Sequence, residues 1–206
     1  MKKIFIGLIF VLFDFTLTLN GFGVGLLPDF VGYILLVLGF RELAALSVKF
    51  QRAKPFAILM VVYSVIDYVM KLLGLRLSGG FAPMFGMLIG LLTLVLMLYI
   101  IYLITLAVAD MEDVMGRNLE AAALRTGWRL FLGLHIGGWV LSGVSGAVAL
   151  SNFGLSVVLL VIGIALVVIG AIIYLLRFNR CRKLHEEAGD EDEPQDTGNP
   201  SWDPER

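Results

Sequence analysis

The stretch Gly25-Leu26-Leu27-Pro28-Asp29-Phe30-Val31-Gly32-Tyr33, running on to Gly39-Phe40-Arg41-Glu42-Leu43, decides the fold class. Pro28 suits the first turn of a helix, where its missing N–H costs nothing. Asp29 beside it places negative charge at the positive end of the helix dipole. Gly25, Gly32 and Gly39 recur every seven residues, and with Asp29 and Leu36 they fall on one helical face. A face of small residues lets a second helix approach closely, which is how helices associate in lipid. Asp29 therefore has two readings: a helix-start residue among packing glycines, or a carboxylate that faces a polar cavity and binds something.

The surroundings of this stretch are apolar throughout. Hydrophobic residues make up 59% of the 206 and charged residues only 16%, against roughly 25% charged in a soluble domain. A membrane-crossing helix needs about 20 apolar residues. Six segments meet that need, at about 4–20, 28–47, 56–73, 84–109, 128–150 and 153–176. The expected fold is an all-α polytopic membrane protein: a six-helix transmembrane domain over 1–183, then a disordered acidic tail over 184–206. The tail has three prolines and almost no apolar side chains, so it cannot bury enough surface to fold. No internal repeat is evident.

Individual segments carry further signals. Met1-Lys2-Lys3 before an apolar run resembles a signal peptide, but Asp14 interrupts the run and no small-residue cleavage site follows, so helix 1 is expected to be retained. Gly7, Asp14, Thr18 and Gly21 share one side of it. The glycine-rich link 20–25 reads as a tight turn, and Pro55 as the stop after a basic link over 48–54. In helix 3, Ser64, Asp67, Lys71 and Gly74 share a polar face. Asp67 and Lys71 have the favoured i, i+4 ion-pair spacing, with Ser64 placed to donate to the carboxylate. Gly86 and Gly90 form a small-xxx-small pair in helix 4. Residues 110–125 read as an amphipathic cytoplasmic helix. His135, Gly138, Ser142 and Gly146 share a face of helix 5, and Ser156, Gly163, Gly170 and Tyr174 form the packing stripe of helix 6.

The run Leu26-Leu27-Pro28-Asp29-Phe30-Val31-Gly32-Tyr33-Ile34-Leu35, followed by Leu38-Gly39-Phe40-Arg41-Glu42-Leu43 and Phe50-Gln51-Arg52-Ala53-Lys54-Pro55, resembles an uncharacterised family of small multi-pass membrane proteins of Gram-positive bacteria. The resemblance spans roughly residues 10–70. It implies a bacterial plasma-membrane protein and carries no activity across.

With six crossings, fourteen of the sixteen Lys and Arg residues fall on one side, leaving Lys71 and Arg76 on the other. The positive-inside rule then puts both termini in the cytoplasm. Gly143-Val144-Ser145-Gly146 matches the nucleophile motif of rhomboid-type intramembrane proteases. Its partner base would have to be His135, ten residues away on the same helix and so roughly 15 Å distant. That dyad cannot form within one chain. Asp14 and Asp67 evoke aspartyl intramembrane proteases, but the Gly-x-Gly-Asp motif is missing. No metal-ligand spacing, phosphate-binding glycine loop or nucleic-acid-binding pattern is present, so no catalytic, metal or cofactor residues are assigned and no enzyme is expected. What stands out is a polar cluster of Asp14, Asp29, Asp67 and Lys71 in the outer half of the bundle, with His135 as an outlying candidate. The leading expectation is a non-catalytic membrane protein that packs against or regulates a membrane-protein partner or a second copy through its glycine-rich faces. The alternative is a small ion, proton or solute transporter that uses Asp14, Asp29 and Asp67. A water-accessible cavity reaching the three aspartates would favour transport, and a dry, fully paired cluster would favour a structural role.

Overall fold

A computed structural model describes residues 1–13, 16–19, 22–25, 29–73 and 82–192. They form six helices and a hairpin: α1 (Lys2–Leu12), β1 (Thr16–Leu19), β2 (Phe22–Gly25), α2 (Asp29–Leu43), α3 (Val48–Leu72), α4 (Ala82–Met115), α5 (Ala121–Val148) and α6 (Phe153–Asp192). Four of them, α3 to α6, are long and apolar enough to cross a membrane.

The largest departure from expectation lies at the N-terminus. Helix 1 does not run to residue 20. It stops at Leu12, and the chain continues as an antiparallel hairpin in which Thr16 faces Gly25 and Leu19 faces Phe22. The reason is legible in the residues. Thr16-Leu17-Thr18-Leu19 alternates with period two, the strand period, and Asn20-Gly21 is the dipeptide most strongly associated with two-residue hairpin connections. An apolar run long enough for a helix concealed that alternation. At 11 residues α1 is about 17 Å long, and α2 at 15 residues about 22 Å, both short of the ~30 Å hydrocarbon core.

Other boundaries move for local reasons. Pro55 does not stop a helix. It sits exposed inside α3, which Ser47 starts earlier by accepting a hydrogen bond from the Lys49 amide at 3.1 Å. The segment 110–125 is not one amphipathic helix. α4 runs on to Met115, Gly116 turns the chain with φ +62°, and α5 begins at Ala121. Glu112 Oε2 accepts from the amides of Leu119 (3.0 Å) and Ala121 (2.9 Å), so the end of α4 caps the start of α5. The tail is helical at its beginning, since α6 extends through Asp192; residues 193–206 lie outside the described residues.

The elements are held in two glycine-mediated pairs. In α1 and α2, a Cβ on Gly7 would lie 2.8 Å from the Gly32 carbonyl oxygen, and one on Gly39 would lie 2.5 Å from Ile4 Cγ1. In α5 and α6, a Cβ on Gly138 would lie 2.6 Å from the Gly163 carbonyl oxygen. These backbones approach as closely as the glycine spacing anticipated. Gly86 of the expected α4 pair is different: nothing lies within 4 Å of where its Cβ would be, and the same holds for Gly90.

The buried core gathers toward the end of the bundle that carries the basic residues. Phe40, Phe50, Ile104, Met111, Phe131, Tyr174 and Phe178 are fully buried there. The Tyr174 hydroxyl lies 3.0 Å from Thr105 Oγ1, satisfying both in the core. Ion pairs tie the same end together: Lys3 to Glu42, Lys49 to Asp110, Arg180 to Glu120 at 2.6 Å and Lys2 to Glu186 at 3.9 Å. These contacts place the start of α1, the end of α2, the start of α3, the end of α4, the link into α5 and the last turns of α6 at one end.

Candidate functional site

At the other end the helices line a partly open cavity of about 390 Å³. Its wall takes Asp29 and Tyr33 from α2; Tyr63, Ser64, Asp67 and Lys71 from α3; Gly90 and Thr93 from α4; and His135 and Trp139 from α5. Val11, Met60, Leu94 and Met97 supply the apolar remainder. Three of the four residues of the expected polar cluster, Asp29, Asp67 and Lys71, therefore line one space, and the outlying His135 joins them. The fourth, Asp14, lies outside the described residues.

Each polar group is placed by its helix. Asp29 opens α2, where the helix dipole favours its negative charge. Asp67 and Lys71 stand one turn apart on α3 and pair at 2.7 Å. Their side chains are 39% and 48% exposed, so this pair stands on the cavity wall and is not buried between helices. Ser64 does not donate to Asp67. Its hydroxyl donates to the Met60 carbonyl at 2.7 Å, and Thr93 likewise donates to Gly90 at 2.9 Å. Both hydroxyl oxygens keep acceptor capacity toward the cavity. On α5, the His135 ring packs 5.0 Å from Phe131, and its buried Nδ1 has no hydrogen-bond partner among the described residues.

The aromatic wall was not anticipated from the sequence, although a signal for it exists. Tyr33 follows Asp29 by four residues, Tyr63 precedes Asp67 by four, and Trp139 follows His135 by four. Asp29, Asp67 and His135 thus each have an aromatic residue one turn away on the same helical face. Aromatic faces beside carboxylates can hold a cation through both charge and ring quadrupole. Two carboxylates, an ammonium group, an imidazole and two phenols can bind a small polar solute or pass protons among themselves.

Ser145 takes no part in this site. It is buried between α5 and α6, with its hydroxyl donating to the Ser156 carbonyl at 2.9 Å and lying 3.1 Å from the Ser156 hydroxyl. Its surroundings are those of a packing residue. Among the described residues, no three His, Cys, Asp or Glu side chains come together as a metal-ligand set. The chain matches no protein-family model, no curated protein and no solved structure.

Proposed function

We propose that this chain is a multi-pass plasma-membrane protein that binds a small polar solute, cation or proton in the cavity bounded by Asp29, Asp67, Lys71 and His135, as a small transporter would, without a catalytic step. The cavity carries the proposal. Intramembrane carboxylates that face a cavity, even when paired as Asp67 is with Lys71, commonly mark solute or proton pathways. A volume of about 390 Å³ falls within the range of about 300–1,000 Å³ usual for small-molecule sites.

In this reading the bundle crosses the membrane six times. α1 is too short alone, but a four-residue strand adds about 13 Å at ~3.3 Å per residue. α1 with β1, and β2 with α2, each then reach about 30 Å. A lone ribbon facing lipid would leave its edges unsatisfied, and the packing of β2 against α3 supplies cover on one side. The basic end is cytoplasmic by its charge.

A second reading, a partner-binding or regulatory membrane protein, is favoured by the open glycine Gly86 on α4. Water access separates the two. Thr93→Cys, on the cavity wall, should react with a small membrane-impermeant thiol reagent in a Cys181→Ser background, while Leu92→Cys on the outer face should not. Equal protection of both positions would mean that polar solutes do not enter, and the partner-binding reading would replace transport.

A further inference from the structure

At the basic end, six cations are already engaged. Lys3 holds Glu42, Lys49 holds Asp110, Lys2 and Arg182 lie near Glu186, Arg180 holds Glu120, and Arg177 donates to the Ala123 carbonyl at 2.5 Å. Arg41 and Lys54 are set apart by sharing one recess. They line a single groove of about 460 Å³ between the last turn of α2 and the first turns of α3, with Phe40 buried at its base and Ala44 and Gln51 on its sides. No carboxylate lines that groove, and neither cation has a carboxylate partner among the described residues. Gln51 Nε2 points back to the Ala44 carbonyl at 3.4 Å, bridging the two helix ends across the groove. A second recess of about 330 Å³ adjoins it, sharing Arg41 and adding Leu38 and Glu42. The Glu42 carboxylate is occupied by Lys3, and Leu38 is an exposed apolar residue.

We propose that this groove is a binding site for the phosphate of an anionic phospholipid headgroup. A guanidinium presents a planar fork that matches phosphate oxygens two at a time, and an ammonium adds a compact charge beside it. Two cations converging on one space without a counter-charge repel each other, and a bound phosphate removes that repulsion. The position selects a lipid as the source. The groove lies among the basic residues that mark the cytoplasmic headgroup level, where the leaflet carries anionic lipid. Leu38, one turn before Arg41 on α2, and Val48, which is 60% exposed at the start of α3, offer apolar flanks for the acyl chains. The site is separate from the solute cavity at the opposite end and does not depend on the transport reading.

Native mass spectrometry of the detergent-solubilised full chain tests this directly, with dioleoyl-phosphatidylglycerol as probe and dioleoyl-phosphatidylcholine as the neutral control. Wild type should retain phosphatidylglycerol in preference to phosphatidylcholine. Arg41→Gln with Lys54→Gln should weaken phosphatidylglycerol binding about tenfold, the equivalent of one lost charge-assisted contact. Arg125→Gln with Arg129→Gln, which removes two exposed cations elsewhere at the same end, should change it less than twofold. Circular dichroism of both double variants keeps folding as an independent readout, and Arg41→Lys should restore part of the affinity if the first pair loses structure. Equal losses in the two double variants would reduce the effect to general surface charge and overturn the site. Inorganic phosphate competing at millimolar concentration with the same Arg41/Lys54 dependence would overturn the lipid assignment in favour of a soluble anion.

Discussion

The two ends of the bundle are built on opposite principles. At the basic end, buried aromatics interlock: Trp128, Phe131, Tyr174 and Phe178 follow one another at ring-centroid distances of 5.7 to 6.5 Å, and Phe5 stacks on Phe178 beneath the Arg182 guanidinium. At the other end, Leu88, Leu91, Leu92 and Val95 of α4 face outward, Gly86 and Gly90 touch nothing, and ionisable residues surround a cavity. The same chain thus separates a closely packed end from a cavity-bearing end along its length. A closely packed end has few arrangements, whereas a splayed end leaves room for a ligand and for motion.

Sidedness gives the largest expected contrast, because labelling is close to all-or-none. Ala45→Cys and Asn118→Cys, both exposed at the basic end, should be protected from an impermeant thiol reagent in intact cells, and Ser78→Cys should react. The native Cys181 is unsuitable as a reporter: it is 1% exposed, so its silence would report burial and not sidedness. Reaction at residue 45 with protection at 78 would invert the topology.

The next contrast is between glycines. Gly138→Val pushes side-chain atoms into the Gly163 backbone and Val167, and should lower stability by about 3 kcal/mol, the upper part of the overpacking range. Gly86→Ala meets nothing and should stabilise α4 by up to about 1 kcal/mol through helix propensity. Thermal melting in detergent checks both. A destabilised Gly86→Ala would show that this face is covered by a partner or a second copy. Smaller still is the effect of truncation. Removal of residues after Asp192 should leave the melting temperature unchanged. Truncation after Lys183 should lower stability by about 1 kcal/mol or less, since it removes the partly buried Leu184 and the two half-exposed pairs of Glu186.

What could be read in advance followed from periodicity and charge. The glycine faces of α2, α5 and α6 announced close packing because glycines recur there at helical spacing, and Gly32, Gly39, Gly138, Gly163 and Gly170 are closely approached. The basic clusters announced which helix ends meet. The polar cluster was legible because each of Asp29, Asp67 and Lys71 stands out against an apolar background. Two things were hidden. The hairpin was concealed because Thr16 to Leu19 is as apolar as a helix would be, and only the two-residue alternation and Asn20-Gly21 distinguish it. The open state of the cavity was concealed because i, i+4 spacing shows that Asp67 and Lys71 can pair, but not what stands opposite them. That depends on how α2, α4 and α5 are placed around α3, which no local pattern encodes.

In the binding reading, Asp67 and Lys71 line an open site and do not form a dry structural clamp. Thermal stability of Asp67→Asn, Lys71→Ala and Asp67→Asn/Lys71→Gln, measured in one detergent, tests it most directly. A half-exposed i, i+4 pair contributes about 0.5 kcal/mol, so all three variants should melt within a few degrees of wild type. A loss of about 3–5 kcal/mol for Lys71→Ala, recovered in the double variant, is the signature of a buried pair broken on one side and would contradict the account.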